Sequence, residues 1–127
     1  MPIVTITVRK PKSAAFKTNV LESIHEALVE AGGAHPDDRV HRVHELAQDD
    51  FRFHPRFPDL GSDRTDDFVL VEILLGVGRS VKVKKNILKE MMARLAKHGL
   101  DPEHVMVLFQ DLPWESFSTG GGRIPHA

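Results

Sequence analysis

The chain contains the stretch Lys17–Leu21 (KTNVL) and, 67 positions later, the stretch Lys84–Leu88 (KKNIL). Residues that cap helices recur at the same offset: Ser13 as Ser80, and Gly32 as Gly99. Serine favours the start of a helix and glycine its end, so these agreements are harder to obtain by chance than matches between helix-forming residues. The sequence therefore predicts two copies of one structural unit.

The first copy, about residues 2–47, has the pattern of a strand, a helix and a second strand. The apolar run Ile3–Val8 predicts the first strand. Apolar residues at helical spacing predict a helix that begins near Ser13 and ends at Gly32, and Arg39–Leu46 alternates as a strand does.

The second copy, about residues 67–112, repeats this order. Phe68–Leu75 is nearly continuous in apolar residues, a helix runs from Ser80 to about His98, and Val105–Phe109 is the last long strand. The polar segment 48–66 joins the copies as a long loop, and residues 113–127 form a tail.

These elements predict a single domain over residues 1–127, of the α/β (α+β) class, with a four-stranded mixed sheet. Right-handed crossovers make the strands within each unit parallel and place both helices on one face of the sheet. The other face is then bare and carries apolar residues, so we expect other subunits to cover it.

Composition narrows the class of protein. The 127 residues include 17 Lys and Arg against 18 Asp and Glu, with no long basic block, which argues against nucleic acid or an anionic membrane as partner. Without cysteine, there is no disulfide, thiolate metal site or cysteine nucleophile. No leader and no membrane-length apolar run is present, so we expect a cytoplasmic protein.

Pro2 stands directly after the initiator methionine and before the first strand. A small second residue normally permits removal of the methionine, which leaves the secondary amine of proline at the chain terminus. That amine can act as a base, an acid or a nucleophile. The alternative is that Pro2 only begins a strand, where proline is sterically acceptable.

Arg79 precedes Ser80 at the predicted junction between a strand and the second helix. Its guanidinium is a planar fork suited to a carboxylate, and the first turn of the helix adds free amide donors. An isolated arginine at a loop is more often solvated, but this junction falls close to the expected position of Pro2. Lys12 occupies the equivalent place in the first unit, and we expect it to face solvent.

A terminal proline, doubled β-α-β units and the stretch Gly78-Arg79-Ser80 together resemble the tautomerase superfamily. Over nearly the whole chain the sequence is most similar to the malonate semialdehyde decarboxylase group, through Pro36–Arg39, Arg64 and Trp114–Gly122. Fused members of the superfamily are usually trimers and use no cofactor, so the resemblance implies a cofactor-free homotrimer that binds a small carboxylate substrate.

The resemblance also implies roles for individual residues. Pro2 matches the catalytic amine, Asp38 the acidic residue that activates water in the decarboxylases, and Arg79 the arginine that holds the substrate carboxylate. Some decarboxylases carry a second arginine where this chain has Val77, which puts a specific assignment as a decarboxylase in doubt. Asp38 has a structural alternative, because aspartate readily caps a turn such as the one after Pro36.

Other residues have competing interpretations. Trp114 and Phe117 either wall the substrate pocket or pack between subunits. Arg64 is expected to have a structural role, pairing with an acid among Asp63, Asp66 and Asp67. The eight histidines suggest no metal site: His41 and His44 fall on opposite sides of a predicted strand, and His35, His54, His98 and His104 fall at turns or element ends.

The leading hypothesis is keto-enol tautomerisation of a small 2-oxo acid, with Pro2, Asp38 and Arg79 as catalytic residues and Arg79, Trp114 and Phe117 as substrate-binding residues. One alternative is a malonate semialdehyde decarboxylase-like lyase or hydratase that uses the same residues. Another is a non-catalytic trimeric binding module.

Overall fold

A computed structural model describes residues 2–125. Met1, His126 and Ala127 lie outside the described residues, and so does the predicted removal of Met1. The elements follow the predicted order. They are β1 (Ile3–Arg9), α1 (Ala14–Gly32), β2 (Val40–Leu46), β3 (Val69–Gly76), α2 (Val81–Lys97) and β4 (Val105–Leu112). The four-stranded mixed sheet with two helices is thus confirmed, and the last strand is longer than the sequence indicated.

The sheet has the strand order β2-β1-β3-β4. β1 pairs in parallel with β2, β3 pairs in parallel with β4, and the central pair of β1 and β3 is antiparallel. Thr5 lies opposite Glu72 in this central pair. These two residues are also separated by the 67 positions of the sequence repeat. The repeat is therefore expressed as an approximate twofold axis that passes between Thr5 and Glu72.

Alternation along the strands separates the two faces of the sheet. In β1 the side chains of Val4, Ile6 and Val8 are completely buried beneath the helices. They form one core with apolar residues of the other elements, among them Ile24 and Leu28 of α1, Ile73 and Leu75 of β3, and Ile87, Met91 and Leu95 of α2. The helices also pack against each other, so both lie on the same face.

The helix starts are built as the repeat predicts, whereas the helix ends differ by one position. Ser13 accepts a hydrogen bond from the Phe16 amide, and Ser80 accepts one from the Val83 amide, so each serine is an N-cap. α1 ends at Gly32 and is capped by Gly33, whose φ of 72° lies in the left-handed region that glycine adopts without strain, whereas the left-handed glycine after α2 is Gly99, the repeat equivalent of Gly32. Within residues 2–125, neither helix combines the length and apolar content needed to cross a bilayer.

The two caps provide a test of the duplicated architecture. We expect Ser13→Ala and Ser80→Ala each to lower the free energy of unfolding by about 1 kcal/mol, because each removes one N-cap bond. Urea unfolding at a fixed protein concentration measures the change. Ser116→Ala, which removes an exposed hydroxyl after β4, is the control and should leave the midpoint unchanged. A normal midpoint for either cap variant would contradict equivalent helix starts.

Candidate active site

Three chain segments meet at one end of the sheet. Ile3 begins β1 and pairs with Val40 at the start of β2 and with Leu74 near the end of β3. The residue before β1, the turn before β2 and the loop after β3 therefore lie together. The structure thereby brings the segments of Pro2, Asp38 and Arg79, widely separated in sequence, to one edge.

Pro2 is buried at this edge. One further step of the register puts it beside Arg39 on one side and Leu75 on the other. It also continues the alternation of Val4, Ile6 and Val8, which face the helices. Its ring carbons thus lie on the side of the sheet that the helices cover, rather than on the bare face.

The guanidinium of Arg79 donates hydrogen bonds to the carboxyl-terminal ends of two elements, α1 and β3. Its Nε donates to the carbonyl oxygen of Gly32 at 2.8 Å, at the end of α1, and its Nη1 donates to that of Gly76 at 3.4 Å, at the end of β3. A cation is stabilised at the end of a helix by the macrodipole. These bonds use only part of the forked guanidinium, which keeps further N–H donors for an anion.

Close packing of the helices permits the Arg79 contact. A Cβ added to Gly32 would lie 2.9 Å from Cδ1 of Ile87 and 3.7 Å from Nε of Arg79. A side chain at Gly32 would thus displace the end of the Ile87 side chain, which packs against this glycine. Sequence reasoning identified Gly32 only as a helix terminus and missed this role, since a close approach between helices leaves no pattern along the chain.

Asp38 lies in the turn between α1 and β2. Its amide donates to the His35 carbonyl oxygen at 3.0 Å, and the Asp37 amide donates to Nδ1 of His35 at 3.0 Å. The Asp37 side chain is 94% exposed, whereas Asp38 is half-buried. Of the two adjacent acids, Asp38 is therefore the one directed toward the protein.

Trp114 and Phe117 cover the same end from the tail. They lie in and after a 3-10 turn at Trp114–Ser116 that follows β4, and their ring centroids are 5.5 Å apart. A Cβ on Gly76 would lie 2.6 Å from Cη2 of Trp114, so the indole rests on the backbone at the end of β3. Gly76 follows Leu75, the residue beside Pro2, so the indole forms part of the wall of this edge.

The opposite end of the sheet is the approximate symmetry mate of this site, and it is filled by side chains. Phe51, Phe53 and Phe68 form a cluster with ring centroids 4.6 to 5.6 Å apart. The guanidinium of Arg9 lies 4.1 Å from the centre of the Phe53 ring. Phe51 follows a 3-10 turn after β2 as Phe117 follows one after β4, so the repeat extends into the loop.

Lys12 differs from the expectation. Its side chain is only 7% exposed, and its Nζ donates to the Arg9 carbonyl oxygen at 2.9 Å and lies 3.5 Å from the carboxylate of Asp67. The prediction that Lys12 faces solvent was wrong, because the loop that carries Asp67 folds over it. Such a contact joins positions too far apart in sequence for a local pattern to reveal.

Arg64 differs from the expectation that it pairs with one of the neighbouring aspartates. The acids near it bind other cations: Asp63 pairs with Arg56, Asp66 with Arg9 and Asp67 with Lys12. Arg64 instead donates to the His54 carbonyl oxygen at 2.7 Å and lies 5.0 Å from the centre of the Phe68 ring. Its contacts lie within the loop and the aromatic cluster, as expected of a structural residue.

Two groups on β2 have altered acidity. Burial, followed by the charges of His25 and Arg39, lowers the pKa of His41 below its ordinary value of 6.5. The hydrogen bond from Lys17 lowers the pKa of Glu45 below its ordinary value of 4.5. Among residues 2–125, no three histidine, aspartate or glutamate side chains are grouped to hold a metal ion.

Comparison with known proteins identifies the family. Two family models, both described as tautomerase enzyme, match residues 38–120 and residues 2–58. The chain belongs to the tautomerase family. The second match begins at Pro2, the residue that the fold buries at the edge of the sheet.

Individual relatives agree with this family. The chain is 24% identical over 124 residues to a probable tautomerase, YusQ of Bacillus subtilis, covering 97% of this chain and 96% of the relative. A malonate semialdehyde decarboxylase structure superposes with a TM-score of 0.87 at 22% identity, covering 96% of this chain and 93% of that one. A fused 4-OT symmetric trimer gives 0.76 at 22% identity, covering 96% and 94%. The two structures establish a shared fold.

The contact between the Trp114 indole and Gly76 can be tested by fluorescence, because Trp114 is the only tryptophan of the chain. We expect Gly76→Ala to shift the emission maximum to longer wavelength, since the added methyl displaces the indole toward water. Gly61→Ala is the matched control, because a Cβ there would have no heavy atom closer than 4.0 Å. An unchanged Gly76→Ala spectrum would contradict the described contact.

Proposed function

We propose that this tautomerase-family chain catalyses keto-enol tautomerisation of a small 2-oxo acid with the terminal amine of Pro2 as base and acid. The observation that carries the proposal is the burial of Pro2 at the edge where Arg79 is anchored. Met1 must be removed for this chemistry, because only then does proline carry a secondary amine.

The environment suits an amine that transfers protons near neutral pH. An ordinary α-amino group has a pKa of roughly 7.7–8.0, and both burial and a neighbouring guanidinium disfavour the charged form. The free amine can take a proton from an enol hydroxyl or from a carbon beside a carbonyl, and the resulting ammonium can return it elsewhere. Proton transfer is most efficient when the pKa of the catalytic group lies near the working pH.

Arg79 is proposed to bind the substrate carboxylate. Its bonds to Gly32 and Gly76 fix the orientation of the guanidinium before substrate arrives, which reduces the entropy lost on binding. The first turn of α2 begins directly after it, and free backbone amides there favour an anion. The carboxylate would thus be held beside Pro2, with Trp114 and Phe117 limiting access of water.

A decarboxylase or hydratase activity is the second candidate. It is favoured by the closer superposition on the malonate semialdehyde decarboxylase structure, which is described as having decarboxylase and hydratase activities. Free Pro2 would attack a substrate carbonyl and expel its oxygen as water to form an iminium ion, which accepts the electron pair left when carbon dioxide departs; alternatively, Asp38 would position a water molecule for addition. Val77 stands against the decarboxylase, because the resemblance places a second arginine there in some members. A non-catalytic binding module is the third possibility.

We also propose that the bare face of the sheet is covered by two further copies in a trimer. Leu108 and Met106 of β4 and Val40 of β2 project there and are 51%, 39% and 53% exposed in the single chain. Arg42 and Glu72 flank Thr5 in the same row, so the face also carries charges of both signs. The superposed fused 4-OT protein is described as a symmetric trimer.

The catalytic proposal is tested with phenylenolpyruvate and malonate semialdehyde, after mass spectrometry has established that Met1 is absent. We expect ketonisation of phenylenolpyruvate, and we expect Pro2→Ala to lower kcat/KM by about 100-fold or more, because it replaces the rigid secondary amine by a freely rotating primary amine. Arg79→Lys should raise KM by about tenfold, since a point charge replaces a bidentate fork.

Pro102→Ala and Arg52→Lys are the matched controls, one in a turn before β4 and the other on the loop after β2. Neither should change the kinetics. Carbon dioxide from malonate semialdehyde with no ketonisation would favour the decarboxylase. Full activity of Pro2→Ala with every substrate would reject both enzymatic candidates.

The assembly is tested by sedimentation velocity. We expect a wild-type mass three times that of the 14.2 kDa chain, and Leu108→Asp should release single chains because it places a charge on the apolar face. Asn86→Asp adds the same charge to the exposed surface of α2 and should leave the trimer intact. A Leu108→Asp protein that sediments as a trimer would exclude this face as the interface.

A further inference from the structure

We infer that His25, a buried residue of α1, is a positioning residue that holds the turn bearing Asp38 in its working place. The inference rests on the proposed function, since it concerns the group expected to orient water or a substrate hydroxyl. Neither the repeat nor the family resemblance pointed to His25.

The contact that carries the inference joins α1 to the turn. His25 is 3% exposed, and its Nε2 lies 2.8 Å from the carbonyl oxygen of Pro36. A carbonyl oxygen only accepts hydrogen bonds, so Nε2 must carry the proton and donate it. In the neutral ring Nδ1 is then an acceptor, and it is buried with no hydrogen-bond partner among the described residues. The ring is thus held by one directed bond.

This bond is close enough to Asp38 to control its position. Pro36 is two residues before Asp38, and the intervening turn is short, closed by the bond from the Asp38 amide to the His35 carbonyl oxygen. On the other side Ala34 is buried, and its amide donates to the Leu28 carbonyl oxygen. The turn is therefore fixed to α1 at Ala34 and again at Pro36, and Asp38 extends from the second fixed point.

The helix that carries His25, α1, is anchored in the core on both sides of this residue. Ile24 and Leu28, on either side of His25 along the helix, are completely buried in the core. The ring of His41 from β2 packs edge-on against His25 with centroids 5.6 Å apart, and the lowered pKa of His41 keeps that neighbour uncharged near neutral pH. In the cavity beside His25 and Pro36, Glu22 pairs with Arg39 and Glu26 with Arg94, and Glu30 also lines it.

A buried histidine can also serve the core alone, and kinetics separate these roles. We expect His25→Leu, which keeps bulk but has no donor, to lower kcat by about 10- to 100-fold, because small misplacements of a catalytic group are costly. KM should change little, since Arg79 is untouched. His25→Gln, whose amide N–H can reach Pro36, should recover most of kcat.

The decisive measurement is the double-mutant cycle with Asp38→Asn. If His25 acts through Asp38, His25→Leu should lower kcat by less than about twofold in the Asp38→Asn background. Ser23→Ala is the matched control, because Ser23 is a buried polar residue of the same helix whose hydroxyl bonds only within α1, to the Asn19 carbonyl oxygen. It should leave kcat unchanged in both backgrounds. An equal loss with and without Asp38 would overturn the inference.

A second measurement is independent of turnover. Amide hydrogen exchange at Asp38 and Arg39 should be faster in His25→Leu than in wild type or Ser23→Ala, because the turn has lost one of its anchors. If His25→Leu does not fold, His25→Phe, which keeps the ring contact with His41, replaces it. Unchanged exchange would overturn the inference even if no substrate is turned over, whereas faster exchange without turnover would reject only the proposed function.

Discussion

The antiparallel pairing of β1 with β3 is the constraint on which the rest of the structure depends. It is the only pairing between the two units within the described sheet, and its register sets Ile3 against Leu74. A shift of one residue would turn every buried side chain of β1 to the other face, which the core of both helices forbids. The same register decides which loop residues lie beside Pro2.

Close packing of the backbone at one end of this sheet then forms the candidate site from elements of both units. Gly32 allows α1 to approach Ile87 of α2, and Gly76 allows Trp114 to lie on the end of β3. Arg79 donates hydrogen bonds to the carbonyl oxygens of both glycines and so links the two units. At the opposite end the equivalent space is occupied by the Phe51, Phe53 and Phe68 cluster. The two ends of the sheet thus correspond to each other through the repeat. One is filled by the phenylalanine cluster, and the other carries Pro2 and Arg79.

Much of the architecture was predictable because it depends on local rules. Ser13 and Ser80 cap helices through bonds to residues three positions later, and the apolar run Phe68–Leu75 forms β3, whose residues facing the helices are buried while Glu72 on the other face is exposed. The meeting of the Pro2 and Arg79 segments depends instead on the antiparallel pairing of β1 with β3, which the parallel pairing within each unit does not dictate. Lys12 was predicted wrongly, because its burial comes from Asp67 across the connecting loop.

The sequence by itself determined the two β-α-β units, their caps and the identity of the ionisable groups, because these follow from side-chain chemistry and from spacing along one helix or strand. Only the tertiary structure decided that Asp38 rather than Asp37 is half-buried, that Gly32 and Gly76 receive Arg79 and Trp114, and that His25 reaches Pro36. These contacts join residues through space, and their geometry is set by how closely whole elements pack. No periodicity along the chain encodes that distance.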